Sequence, residues 1–391
     1  MSIDSRSIAV ACLAISLLAA CSAAPQRQLT EAQLIQNRDA FLAAYQSDLA
    51  AMSKQSETRV NFEIAKARNS SDLRQSYDIL MLSGGGAFGA FGAGFLEGWG
   101  SLEDVEFARP EFDTVSGIST GALIAPFAFL GTEESYRSIV ELYENPGADW
   151  VRENGKLAMI TGDPSLYDTS GLQAKIREVV TPALVDAIAA GSANHRQLLV
   201  GAANADYGLL RVWDLSRDAA ETSSVQAADK ISKILLASTA IPGAFPPVII
   251  DQNLYVDGGA SMQVVGGIEK REWAYVPESD LSNQASDTPP IRVRVWIIVN
   301  QKLLPEPAVV ELNWAQITAR SASTLIRTST LQSIQDAETY VRLINRLPGI
   351  DAKLRYVAIP QDFEIPKSDE MFHPQTMRAL VKLGRETVSY T

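Results

Sequence analysis

Phe112-Asp113-Thr114-Val115-Ser116-Gly117-Ile118-Ser119-Thr120-Gly121 reads as a short strand, a sharp turn and the entry to an apolar helix over 122–130. Gly117-x-Ser119-x-Gly121 has the spacing of a nucleophile elbow, in which a serine sits at the tip of a tight strand-to-helix turn. Such a turn forces the serine into a strained backbone conformation. Side chains two positions either side would meet the neighbouring strand or helix. The helix N-terminus behind Ser119 favours negative charge developing there. The same five residues also describe an ordinary glycine-flanked helix start capped by Ser or Thr. The rest of the chain has to decide.

Upstream, the apolar run 77–82 has the look of a buried parallel strand. It feeds into Ser83-Gly84-Gly85-Gly86-Ala87-Phe88-Gly89-Ala90-Phe91-Gly92-Ala93-Gly94. Strand, glycine loop and small-residue helix together present several backbone N–H groups free of side chains, able to bind phosphate or to stabilise an oxyanion. Gly84-x-Gly86-x-x-Gly89 also matches the dinucleotide fingerprint. The acid expected about 20 positions on would be Glu103 or Asp104, and both lie in the polar stretch 101–109 rather than at a strand end. No Walker lysine follows, so nucleotide binding is disfavoured.

Downstream, Lys233-Ile234-Leu235-Leu236-Ala237-Ser238-Thr239-Ala240-Ile241-Pro242-Gly243-Ala244-Phe245-Pro246-Pro247-Val248 leads into Leu254-Tyr255-Val256-Asp257-Gly258-Gly259. An Asp closing a strand before two glycines is placed like a side chain at the rim of a sheet, although Asp-Gly-Gly alone is usually a turn. The two histidines, His195 and His373, lack strand-end context. A Ser-His-Asp triad is therefore poorly supported, with the spatial position of both histidines left open. A carboxylate is the favoured base for Ser119, and Asp257 is the best-placed candidate.

Taken together, Gly84-Gly85-Gly86-Ala87-Phe88-Gly89, Gly117-Ile118-Ser119-Thr120-Gly121, Ala237-Ser238-x-Ala240-x-Pro242-x-x-Phe245-x-Pro247 and Asp257-Gly258-Gly259 resemble the patatin-like phospholipase family over roughly residues 76 to 270. The resemblance implies a three-layer α/β/α fold with a central, mostly parallel sheet and a Ser–Asp dyad acyl hydrolase. Ser119 would be the nucleophile and Asp257 the proton acceptor. The glycine motif Gly84, Gly85, Gly86 and Gly89 would form the oxyanion loop, Gly117 and Gly121 the elbow, and Gly258 and Gly259 the turn after the base. Two positions depart from the family pattern. Phe88 stands where Arg or Lys is common, and Ser83 where Asp is common. Backbone donors survive both changes, but a cation near the site is lost, which puts a preference for phosphate-bearing head groups in doubt.

The first residues carry Arg6, an uncharged run over 7–20 and then Cys21. That run is too short for a membrane span of about 20 residues and suits the h-region of a signal peptide. Leu18-Ala19-Ala20-Cys21 resembles a bacterial lipobox, with Cys21 acylated after cleavage and ordinary signal cleavage as the alternative. The only other cysteine, Cys12, leaves with the signal, so the mature chain has no pair to oxidise. The expected location is the cell envelope, membrane-anchored, with an outer-membrane destination open. Residues 30–69 are polar and helix-favouring, with Leu34, Phe41, Leu42, Tyr45, Leu49 and Met52 at helical spacing, and read as one long helix or two. After a polar loop over 278–290 come a strand over 291–300, a long helix over 308–346, a strand over 354–360 and a helix over 374–388. Arg320 and Arg327 on the long helix read as solvated or paired charges.

The expected organisation is a lipoprotein signal over 1–20, anchor and helical segment over 21–75, and one catalytic domain over 76–391. Asp and Glu outnumber Lys and Arg by 46 to 34, a net charge of −12. This argues against nucleic acid and against electrostatic attraction to anionic lipid; the anchor would supply membrane proximity. No cofactor is expected, no metal-ligand cluster is visible, and a Ca²⁺ requirement has no support. The function read from the sequence is cleavage of carboxylic esters of lipids or phospholipids. An esterase or thioesterase on soluble acyl compounds, or a non-catalytic surface lipoprotein, are the rivals.

Overall fold

A computed structural model describes residues 27, 29–69, 76–103, 107–155, 164–265, 290–346, 349–366, 368 and 370–388. The signal over 1–20, Cys21, Asp104 and most of the loop expected over 278–290 lie outside the described residues.

Helix α1 (Glu31–Asn69) comes first. Strand β1 (Ser76–Leu82) runs through a 3-10 turn (Gly86–Phe88) into α2 (Gly89–Trp99), and β2 (Thr114–Ile118) runs through Ser119 into α3 (Thr120–Leu130) and α4 (Glu133–Glu144). A short antiparallel pair, β3 (Arg152–Glu153) with β4 (Tyr167–Asp168), precedes α5 (Ser170–Val179) and α6 (Pro182–Ser192). Then follow β5 (Gln197–Asn204), β6 (Leu209–Asp214), α7 (Leu215–Glu221), α8 (Ser224–Ser238), β7 (Val248–Ile250) and β8 (Asn253–Asp257). Strand β9 (Ile291–Val299), α9 (Trp314–Ile344), β10 (Ile350–Ala358) and α10 (Pro374–Thr387) complete the order.

Eight strands form one sheet in the order β10-β9-β1-β2-β5-β8-β7, with β6 beside β5. The first five are mutually parallel, while β6, β7 and β8 pair antiparallel. The expected mostly parallel α/β/α sandwich is what the chain forms. Strand β1 shows why. Leu80 and Leu82 pack under α2, α3 and α10, whereas Tyr77, Ile79 and Met81 pack against α9. A strand covered on both faces must be apolar at nearly every position, which is how it reads.

Residues 31–69 form one helix, with no Gly or Pro to interrupt it. Its Met52 packs with Ile118, Leu199 and Val212 on the sheet. Asp48 pairs with Arg211 and Arg217, Ser56 donates to Gln197 at 2.6 Å, and Phe41 stacks on Tyr207. Helix α9 starts at Trp314, not 308, because Asn313 caps it by accepting the Gln316 N–H at 2.9 Å. Strand β10 starts at Ile350, earlier than expected. Its polar Asp351 and Lys353 hide the strand in sequence, while pairing with β9 holds it.

The buried ion pair Arg59–Asp113, at 2.6 Å, fastens α1 to the start of β2. Arg59 also donates to the Asn194 carbonyl. Burial pushes the Asp113 carboxyl up to about 6, against the opposing pull of Arg59. A carboxyl raised in the folded state stabilises most below its unfolded value, and that contribution is lost as pH rises through about 6. Arg59→Ala removes the charge that opposes the rise. It should cost about 3–5 kcal/mol, with the deficit in thermal unfolding larger at pH 8 than at pH 5. A deficit independent of pH would show that Arg59 acts through packing alone.

Candidate active site

Strand β5 brings the two candidate residues together. At Leu199, Val200 and Gly201 it has β2 on one edge and β6 on the other. From Ala202 to Asn204, β6 continues and β8 replaces β2. Ile118 pairs with Gly201, and Asp257 with the next residue, Ala202. Strands β2 and β8, running in opposite directions, therefore end facing each other on one edge of β5. There the Ser119 side chain lies close enough to the Asp257 carboxylate to favour its charged form.

Ser119 has φ 55° and ψ −124°, a left-handed-side conformation that is costly for a residue with a Cβ. The elbow glycines make it attainable. A Cβ on Gly117 would lie 2.3 Å from the Gly121 carbonyl oxygen, and one on Gly121 would lie 2.3 Å from that of Leu82. Both residues are buried, Ser119 and Asp257 being 6% and 5% exposed. Asp257 Oδ1 accepts the Gly259 N–H at 2.7 Å, and the Asp257 N–H donates to the Ala240 carbonyl. Burial raises the Asp257 carboxyl to about 6, although the neighbouring Ser119 side chain and the Gly259 N–H pull the other way. Such a carboxylate can take a proton from a bonded hydroxyl near neutral pH.

The glycine loop lies alongside. A side-chain carbon on Gly84 would sit 3.2 Å from Ser119 Cβ. Gly86 has φ 56°, and the N–H groups of Gly85 and Gly86 find no acceptor among the described residues. Gly89 instead turns its N–H back to the carbonyls of Gly86 and Ala87 and lets α2 start against Thr120 and Tyr143. Gly258 packs on the Gly201 carbonyl.

Three side chains hold this arrangement, and sequence reasoning gave them no role. Ser238 Oγ accepts the Ser119 N–H at 2.9 Å and donates to the Gly201 carbonyl at 2.7 Å, latching the elbow to β5. The signal was present in the quoted Ala237-to-Pro247 segment. Asn300 donates from its N–H to Ser83 Oγ and from Nδ2 to the Ser83 carbonyl, and accepts from Gly92. A polar residue closing an apolar strand was its only mark. Gln263 donates to the Gly259 carbonyl at 3.2 Å and reaches Gly84.

The histidines lie elsewhere. His195 precedes β5 at the far edge of the sheet and packs on Phe62, while His373 bonds Thr376 before α10. Among the described residues no cluster of His, Cys, Asp and Glu could hold a metal ion.

A cavity opens from Ser119 between the helices of one layer, with about 860 Å³ of empty space including its mouth. Leu123, Phe127, Leu142, Trp150, Leu172 and Phe245 line it. Its one charged side chain, Lys175, pairs with Glu178 at 2.9 Å. The space is of small-ligand size, and its walls suit a flexible hydrocarbon chain.

The fold and this site define an α/β/α protein with a serine elbow at the carboxyl edge of its parallel strands. Residues 80–265 match the family model of the patatin-like phospholipases. Among solved structures, VipD from Legionella pneumophila is similar at 14% identity, covering 81% of this chain and 66% of that one, with a TM-score of 0.37. No curated protein matches the chain.

Proposed function

We propose that this chain is a serine acyl hydrolase that cleaves carboxylic esters of lipids or phospholipids through an acyl-enzyme on Ser119. The observation that carries the reading is the apposition of Ser119, strained at its elbow, and the buried Asp257 beside an apolar cavity. Asp257 accepts the hydroxyl proton as Ser119 Oγ attacks the ester carbonyl. The N–H groups of Gly85 and Gly86 receive the developing oxyanion. Asp257 then returns the proton to the leaving alcohol. In the second half Asp257 takes a proton from water, which attacks the acyl-enzyme; the C–Oγ bond breaks, Asp257 returns the proton to Ser119 Oγ, and the fatty acid leaves. The acyl chain occupies the cavity, and Phe88 leaves the loop without a cation for a head-group phosphate.

Fatty-acid release from mixed phospholipid vesicles, with Ser119→Ala and Asp257→Asn run alongside, tests this. Release from a short soluble ester alone would favour an esterase. Absence of a fluorophosphonate adduct on Ser119 would favour a binding module. Export and anchoring through Cys21 belong to the same proposal and rest on the sequence of residues 7–21; mass measurement of the mature N-terminus checks them.

Ser238 acts here as a positioning residue. Ser238→Ala leaves the Ser119 N–H without its acceptor, and should lower kcat on a short soluble ester by up to about 100-fold with KM little changed. Unaltered kcat would deny the latch its role.

A further inference from the structure

Helix α9 is far longer than the strand it covers. Its 31 residues span about 46 Å, whereas the nine of β9 span about 30 Å. The helix meets the sheet edge where Gln301, just past the end of β9, donates to Thr330, which is fully buried. From Thr330 onward Ile334, Ala337, Val341 and Ile344 enter the core. Before it, none of the described side chains over 314–329 is buried, so about 24 Å of helix overhangs the body.

The overhang lies at the edge that bears Ser119. Leu82 is level with both Gly117 of β2 and Ile298 of β9, and these strands run in parallel. Helix α9 also passes the Gly258–Ala260 turn that follows Asp257.

At about 100° per residue, Trp314, Ile317 and Leu325 share an arc of about 80°. The core-facing residues of the second half fall on the opposite side of the helix. The stripe thus points away from the protein's own core. The preceding loop, tied back where Arg320 donates to the Glu306 carbonyl, adds Val309 and Leu312, which are 98% and 99% exposed. So short a helical stretch with no buried side chain among the described residues is marginal in water. Lys302, Arg320 and Arg327 stand against Glu306 and Glu311, so the loop and first half of the helix carry a single net positive charge, too little to hold a charged partner by electrostatics. An exposed Trp among aliphatic side chains suits the boundary between water and lipid.

We propose that the first half of α9 and the loop before it dock the protein onto the surface of a lipid aggregate, holding it beside its substrate. This rests on the reading of Ser119 as a nucleophile toward long-chain acyl esters, which in water are held in aggregates. Docking proceeds by apolar insertion into a zwitterionic surface and is insensitive to salt.

The test uses the full chain with Cys12→Ser, Cys21→Ser and Ser119→Ala, so that neither acylation nor turnover contributes. An environment-sensitive fluorophore is placed at Leu312→Cys, Ile317→Cys or Ser323→Cys, all exposed positions, the last on the opposite side of the helix from the stripe. With phosphatidylcholine vesicles, the labels at 312 and 317 should shift to the blue and be quenched by brominated lipid, while that at 323 stays unchanged. Leu312→Asp and Trp314→Asp should each weaken vesicle binding on the order of tenfold. Equal responses at all three sites, or none, would overturn the proposal. So would a shift that follows protein concentration without lipid, which would make a second copy the occupant. Because the readout needs no catalysis, vesicle docking by a protein without esterase activity would sink the function proposed for Ser119 and not the docking surface.

Discussion

Ser119→Ala and Asp257→Asn will each lower kcat by roughly 10⁴-fold or more on any ester the protein cleaves. In the first variant the attacking oxygen is gone. In the second the amide can still accept the Ser119 hydroxyl but cannot take its proton. Folding separates the two. Asp257 is buried, and its carboxyl is raised from 3.8 to about 6. A group raised in the folded state contributes stability below its unfolded value and loses it as pH rises through about 6. At pH 8 the wild-type protein therefore carries a buried carboxylate costing up to about 3 kcal/mol, which Asp257→Asn removes. The inactive Asn variant should melt as high as wild type at pH 5 and higher at pH 8. In the wild type, kcat/KM should climb with pH through about 6 and level off above, because the base works only when deprotonated. A rate that falls over that interval, or an Asn variant with substantial turnover, would exclude Asp257 as the base.

Gly121→Ala should disable the protein through backbone collision. The new Cβ would lie 2.3 Å from the Leu82 carbonyl oxygen and 2.7 Å from that of Ser83. Neither oxygen can swing aside as a side chain would, because Leu82 ends β1 and Ser83 opens the glycine loop, where Asn300 grips it. Relief must come from α3 or the loop moving, and either motion separates Ser119 from Asp257 or from the Gly85 and Gly86 donors. A loss of about 3 kcal/mol in stability and of about 100-fold in kcat is expected, read by denaturant titration and by hydrolysis of a short ester. Gly86→Ala is the contrast. No atom lies within 4 Å of the added carbon, and only the φ of 56° opposes it, at about 1–2 kcal/mol. Similar losses in both variants would mean that backbone strain, and not the close approach at Gly121, governs the elbow.

The sequence by itself determined the parts whose demands are local. An apolar run running into Gly84-Gly85-Gly86, a serine between Gly117 and Gly121, and Asp257 before two glycines each specify a strand and a turn within a few residues, since glycine spacing and apolar period act on adjacent backbone. The sandwich follows, because strands apolar on both faces need helices on both. What only the tertiary structure decided is how those parts meet. Asp257 faces Ser119 because β8 takes over the edge of β5 where β2 leaves it. Ser238 and Asn300 matter because one reaches the elbow and the other the glycine loop across the sheet. The cavity arises between helices far apart in the chain, and the overhang of α9 depends on where β9 ends relative to Thr330. Each of these is a matter of register between segments far apart in the chain. Register is set by packing of the whole sheet, so no local run of residues records it.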